Sequence, residues 1–192
     1  MSKWKFDPLH TQVEFSAKHL GMMTVRGNFN QVTTSGEIDP EHPERTKFEA
    51  SIKTESIRTH NEQRDKDLRS SSFLEVDRFP TMHFKSTKIE HTGGDKYRVT
   101  GDLTIKDVTK PVTLNAVKYG EFNDPNMGHR IGYAAETQIN RKDFNMKFDA
   151  MLDGKFIVSN EIQINIEGEI LEIPEAETAS AGAAGSDTSA QR

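Results

Sequence analysis

Seven histidines, at positions 10, 19, 42, 60, 83, 91 and 129, are the side chains best suited to metal or acid–base chemistry in this chain. No two of them stand at a compact metal-ligand spacing, and no HExxH is present. The chain has no cysteine, which removes thiolate metal sites, cysteine nucleophiles and a disulfide scaffold together. Gly128-His129-Arg130-Ile131-Gly132 is glycine-rich, but it opens a strand and not a helix, so it makes no phosphate cradle. No nucleophile elbow or dinucleotide fingerprint occurs, and the carboxylates fall mostly on outward strand faces, where nothing perturbs their titration. These residues predict a protein that is not an enzyme and holds neither metal nor cofactor. A conditional role remains for His10 and His19, which could hydrogen-bond a polar head or satisfy a barrel end. What is left is the chemistry of apolar surface, carried by 11 Phe and 7 Met.

The elements that must position this surface have a period of two. Val13, Phe15, Ala17 and His19 share one face, while Gln12, Glu14, Ser16 and Lys18 share the other. Such alternation marks a half-buried antiparallel strand. It recurs at Val25 and Phe29, at Phe48, Ala50 and Ile52, and at Met82 and Phe84. Longer runs follow at Tyr97–Ile105, from Val112, at Ile131–Ile139 and at Val158–Ile170, giving about eight strands. Gly93-Gly94 supplies a tight hairpin turn, and breakers fill Asn123–Gly128. Two segments do not alternate. Glu62–Arg69 predicts a short helix, with Arg64, Asp65 and Arg69 as surface ion pairs or a dimer contact. Phe144, Phe148 and Met151 fall four and three apart, predicting a helical turn or two.

Eight antiparallel strands with one apolar face each must bury that face and manage their edges. Closure into a barrel does both, and a sandwich is the alternative. The expected fold is therefore all-β, an eight-stranded antiparallel up-and-down barrel with one or two short helices.

Composition bounds the rest. A net charge of −5 argues against a nucleic-acid footprint. No run approaches the roughly 20 apolar residues that span a bilayer, so no stable membrane insertion is expected. The opening Met1–Pro8 has no apolar signal core, which predicts a cytoplasmic protein. Residues 174–192 lack aromatic residues and Val, Ile and Leu; they are expected to form a disordered tail after a 1–173 barrel domain.

The inward faces nominate the candidate ligand contacts. Phe15, Val25, Phe29, Phe48 and Ile52 come from the first half of the chain. Met82, Phe84, Val99 and Leu103 come from the middle, and Tyr133, Ile162 and Ile164 from the last strands. They either fill the interior as a solid core or line a pocket. His19 and Met22 lie in a candidate portal, where adjacent methionines offer adaptable apolar surface. Phe73, Phe79 and Phe148 are candidate lid or plug residues at a barrel end.

Three blocks of this sequence resemble the YceI family. The first runs Trp4-Lys5-Phe6-Asp7-Pro8-Leu9-His10-Thr11 through Phe15, with Lys18-His19-Leu20-Gly21 and Val25–Phe29. The second includes Ile57-Arg58-Thr59, Arg64-Asp65, Leu68-Arg69-Ser70 and Phe79–Ser86. The third is Val99–Val112, where the usual turn glycine is replaced by Asp107. The resemblance implies a lipocalin-like barrel that binds a polyisoprenoid or similar long-chain lipid inside, without catalysis. It also implies homodimer formation.

Overall fold

The computed structural model describes residues 3–173, so the tail expected over 174–192 lies outside the described residues. Strands occupy Lys3–His19 (β1), Met23–Phe29 (β2), Val32–Glu37 (β3), Lys47–Lys53 (β4) and Ile57–Arg58 (β5). A helix, Glu62–Arg69 (α1), precedes Thr81–Gly93 (β6), Lys96–Ile105 (β7), Val108–Asp124 (β8) and Gly128–Asn140 (β9). The short pair Met151–Leu152 (β10) and Lys155–Phe156 (β11) leads into Glu161–Ile173 (β12). Ten strands form one sheet in the order β3-β4-β6-β7-β8-β9-β12-β1-β2-β5, and each pairs antiparallel with its neighbours.

The sheet curls until β3 packs alongside β1. Among the described residues, no ladder joins these two strands, so the barrel has one seam where β3 runs beside β1. β2 and β3 are one strand bent at Asn30-Gln31, and β5 is a two-residue appendage. Eight strands therefore surround the interior, as the alternation predicts. β3 itself, Val-Thr-Thr-Ser-Gly-Glu, does not alternate in polarity; it is ordered by pairing with β4 from Val32–Ile52 to Glu37–Lys47.

Register turns the alternation into a core. Val13, Phe15 and Ala17 of β1 stand opposite Ile166, Ile164 and Ile162 of β12. Phe84 stands opposite both Leu103 and Ala50. A Cβ at Gly101 would land on the Phe84 ring and the Lys85 carbonyl, so the absent side chain is what seats that ring. Gly27 makes the same room for Phe15.

The end of the barrel at the β7–β8 turn is plugged. Phe73 and Leu74, 7% and 5% exposed, sit beneath α1. Asn61 caps this helix by accepting from the Arg64 N–H at 2.9 Å. The expected surface ion pairs of α1 are replaced by backbone anchors, because the facing chain offers open polar groups. Buried Asp65 accepts from the Thr59 N–H at 2.8 Å and from its hydroxyl at 2.5 Å. Arg64 donates to Thr59, and Arg69 to the carbonyls of Glu55 and Ile57.

The helical turns expected over residues 142–153 reduce to a single 3-10 turn, Arg141–Phe144, ended by Asn145 at φ 57°. Arg141, 1% exposed, donates to the carbonyls of Ser159, Met146 and Val158. Those bonds hold the following chain extended, which carries Phe148 across to stack on Phe73 with ring centroids 4.9 Å apart.

Candidate functional site

Inside the curled sheet lies a cavity of about 320 Å³. It exists because several inward positions are small: Ala17, Ala50, Ala116, Ala135 and Gly168 all lie on its wall. Ala116 and Ala135 face each other across β8 and β9, so two adjoining strands leave room together. Large side chains at those rungs would have closed the interior into a solid core. The wall is overwhelmingly hydrocarbon, and the volume lies near the lower end of the range for small-molecule sites, roughly 300–1,000 Å³.

Of the candidate contacts, Phe15, Phe29, Phe48 and Ile52 line the cavity, as do Met82, Phe84, Val99 and Leu103, and Tyr133, Ile162 and Ile164. Phe73 forms part of its plugged floor. Five candidates stand elsewhere. Val25 sits opposite Ala17 on the barrel rung but off the cavity wall. His19 and Met22 belong to the exposed β1–β2 turn at the plugged end, where Leu20 and Gly21 take positive φ and Met22 is 68% exposed. Phe79 is covered by the cations of Arg78 and Lys106, and Phe148 forms a second layer behind Phe73.

Phe6, Ile38, Pro43 and Tyr97 line the wall without being among the candidate contacts, although alternation puts Tyr97 on the same face as Val99 and Leu103. Ile38 and Pro43 come from the β3–β4 connection, which has no period. Phe6 precedes a bulge in β1, where Phe6 pairs with Ile170 but Thr11 pairs with Gly168. The sequence signal for Phe6 is its own alternation, Trp4 and Phe6 against Lys5 and Asp7; its ladder partner, the buried Ile170, is visible only in the structure.

Burial falls from one end to the other. Phe73, Leu74, Phe144 and Met146 close the floor with 8% exposure or less. At the opposite end Phe6, Phe48, Tyr97 and Tyr133 are only half-buried, which makes this end the mouth. Above Tyr133 stands a polar collar. Lys118 lies opposite Tyr133 in the ladder, and its Nζ contacts Glu121 at 2.5 Å. His129 lies between Glu121, 2.6 Å from Nε2, and Glu172, 2.9 Å from Nδ1, with Trp4 edge-on at 4.8 Å. Burial works against a charged His129 ring, but the two carboxylates outweigh it and raise its pKa. Burial pushes the Tyr133 phenol up to about 12, so it remains a donor throughout the neutral range.

A second polar group sits on the outer face at the β1 bulge. Asp7 accepts from the Leu9 N–H at 2.9 Å and from Arg130 at 2.6 Å, and pairs with His10 at 2.9 Å. Arg130 also holds Glu169 at 3.0 Å. Burial would raise the Asp7 carboxyl, yet the hydrogen bonds from His10 and Arg130 hold it well below the usual carboxylate range. The sequence reading placed such outward carboxylates in unperturbed surroundings; the bulge changes that by folding Asp7 under its own chain. Ligand atoms of Asp7, His10 and Glu169 lie within 4.8 Å of one another. Arg130 already supplies these two carboxylates with the positive charge a metal ion would bring.

Fold and cavity together define a calyx-like β-barrel with a hydrocarbon interior. The model of the YceI-like domain matches residues 4–170. The chain belongs to the YceI family. It is 40% identical over 159 residues to a UPF0312 protein of Yersinia pestis, covering 83% of this chain and 81% of the relative. The crystal structure of the Campylobacter jejuni YCEI protein superposes with a TM-score of 0.69 at 30% identity, covering 82% of this chain and 90% of that one. A polyisoprenoid binding domain from Saccharophagus degradans shares the fold, with a TM-score of 0.60 at 12% identity over 88% of this chain and 98% of that one. Among the described residues, no helix is long and apolar enough to cross a membrane.

Proposed function

We propose that this protein binds a long-chain amphiphile, an isoprenoid or fatty-acyl-like lipid, inside the barrel and carries or sequesters it without catalysis. The observation that carries the reading is the hydrocarbon-walled cavity of about 320 Å³ left by inward alanines. At roughly 30 Å³ per water-sized group, the empty space alone takes about ten carbons. Each CH₂ buried contributes about 0.8 kcal/mol, so such a tail offsets the freedom lost on association. The description of the Saccharophagus degradans domain as polyisoprenoid-binding supports the same ligand class.

The arrangement of polar groups supports binding over turnover. Both ring nitrogens of His129 are engaged by carboxylates, which leaves neither free to exchange a proton with a ligand. His10 is paired with Asp7 on the outer face and is not part of the cavity wall. Native mass spectrometry and organic extraction of gently purified protein test the reading. A lipid of defined mass, bound one per chain, is expected; protein repeatedly recovered empty, and unable to take up added lipid, would overturn it.

A further inference from the structure

The largest polar side chains that the open end of the cavity leaves unpaired are two tyrosines. Tyr97 and Tyr133 both line the cavity, with ring centroids 6.0 Å apart and planes at 70°. Among the described residues, neither phenol hydroxyl has a hydrogen-bond partner. At the floor the polar side chain is Arg141, and its guanidinium is nearly inaccessible and committed to three carbonyls. Elsewhere on the wall the hydroxyls of Thr34 and Thr137 stand singly among apolar side chains, so only the mouth offers a ligand entering tail first two donors side by side.

The collar above the tyrosines decides what kind of head they suit. Its two cations, Lys118 and His129, are each already in contact with a carboxylate of Glu121 or Glu172. With His129 charged the four groups sum to zero, and with His129 neutral they sum to a negative charge. A phosphate or carboxylate head would meet two fixed carboxylates and no uncommitted cation, which raises its energy there. An uncharged carbonyl or hydroxyl avoids that repulsion and accepts from the phenols.

Resting on the lipid-binding reading above, we propose that Tyr97 and Tyr133 form the head-group site, and that it takes an uncharged head bearing a hydrogen-bond acceptor. The tail runs from there past Ala116 and Ala135 toward Phe73. Ligands of this class are isoprenoid alcohols and carbonyl-headed isoprenoids, as opposed to prenyl phosphates.

Three probes with one tail test this on the full chain: farnesol, farnesyl diphosphate and the headless hydrocarbon farnesane. Wild-type protein is expected to bind farnesol more tightly than the diphosphate. Tyr133→Phe and Tyr97→Phe should each weaken farnesol about two- to tenfold, the worth of one neutral hydrogen bond. Farnesane should bind the variants as it binds wild type, which also shows that the barrel is intact. Tighter binding of the diphosphate, or farnesol unaffected in the double variant, overturns the head-group assignment while the lipid-binding reading stands. Equal weakening of farnesane and farnesol also overturns it, because ring packing would then be responsible. Failure of wild type to bind any of the three overturns both.

Discussion

Filling the cavity should separate folding from binding. Ala135 lies on the cavity wall midway along β9, flanked by Ala116 and Ile166 across the two ladders. Ala135→Trp places an indole of about nine non-hydrogen atoms into space that holds roughly ten water-sized groups. If only four CH₂ groups of a ligand tail are displaced, about 3 kcal/mol of burial is lost. That is a weakening of over a hundredfold, by about 1.4 kcal/mol per decade. Overpacking a core costs about 1–3 kcal/mol, and less where a void already exists, so the variant should remain folded. The assay is farnesol displacement of a fluorescent apolar reporter, with circular dichroism and a melting curve on the same sample. Gln138→Trp, on the exposed outer face of the same strand, is the control and should bind normally. An Ala135→Trp protein that folds and binds farnesol with unchanged affinity would refute the cavity as the binding site.

Three further outcomes follow from packing and charge. Gly101→Ala should displace the Phe84 ring and destabilise by about 1–3 kcal/mol, read as a lowered Tm. Asp65→Ala leaves the buried Thr59 N–H and hydroxyl without their acceptor and should cost about 1–3 kcal/mol, most visible as faster amide exchange in α1 and β5. Asp7 has a depressed pKa, so its contribution to stability is fully present above the ordinary carboxylate value of about 3.9 and disappears as pH falls below it. Asp7→Asn should therefore flatten the acid limb of the stability curve; an unchanged limb would show that the Arg130 contact stabilises nothing.

Most of the fold was legible because each barrel strand buries one face only, which writes a period of two into the sequence. The helix over Glu62–Arg69 was legible for the complementary reason: a polar run that cannot alternate. β3 was not legible, since Thr33, Thr34 and Ser35 carry no apolar alternation and take their order from pairing with β4. The mouth collar was hidden by a bulge. In β8, Lys118 pairs with Tyr133 but Gly120 pairs with Gly132, so Tyr119 is an extra residue. That insertion brings Lys118 and Glu121 to the same face, although strict alternation puts residues three apart on opposite faces. Phe148 misled through its helical spacing from Phe144. The carbonyls held by Arg141, distant in sequence, decide the path of that segment.

The seam between β1 and β3 bears on how much lipid the protein can hold. A sheet hydrogen-bonded all the way round has a fixed girth, because widening it breaks ladder bonds worth about 1 kcal/mol each. Here β2 holds the second half of β1, from Val13–Phe29 to His19–Met23. Among the described residues no ladder joins β3 to the first half, so only that half of the joint, toward the mouth, can widen while every ladder stays intact. The resting volume is then a lower limit on capacity, and extra room for tails longer than about ten carbons lies in the unladdered half of that joint, toward the mouth.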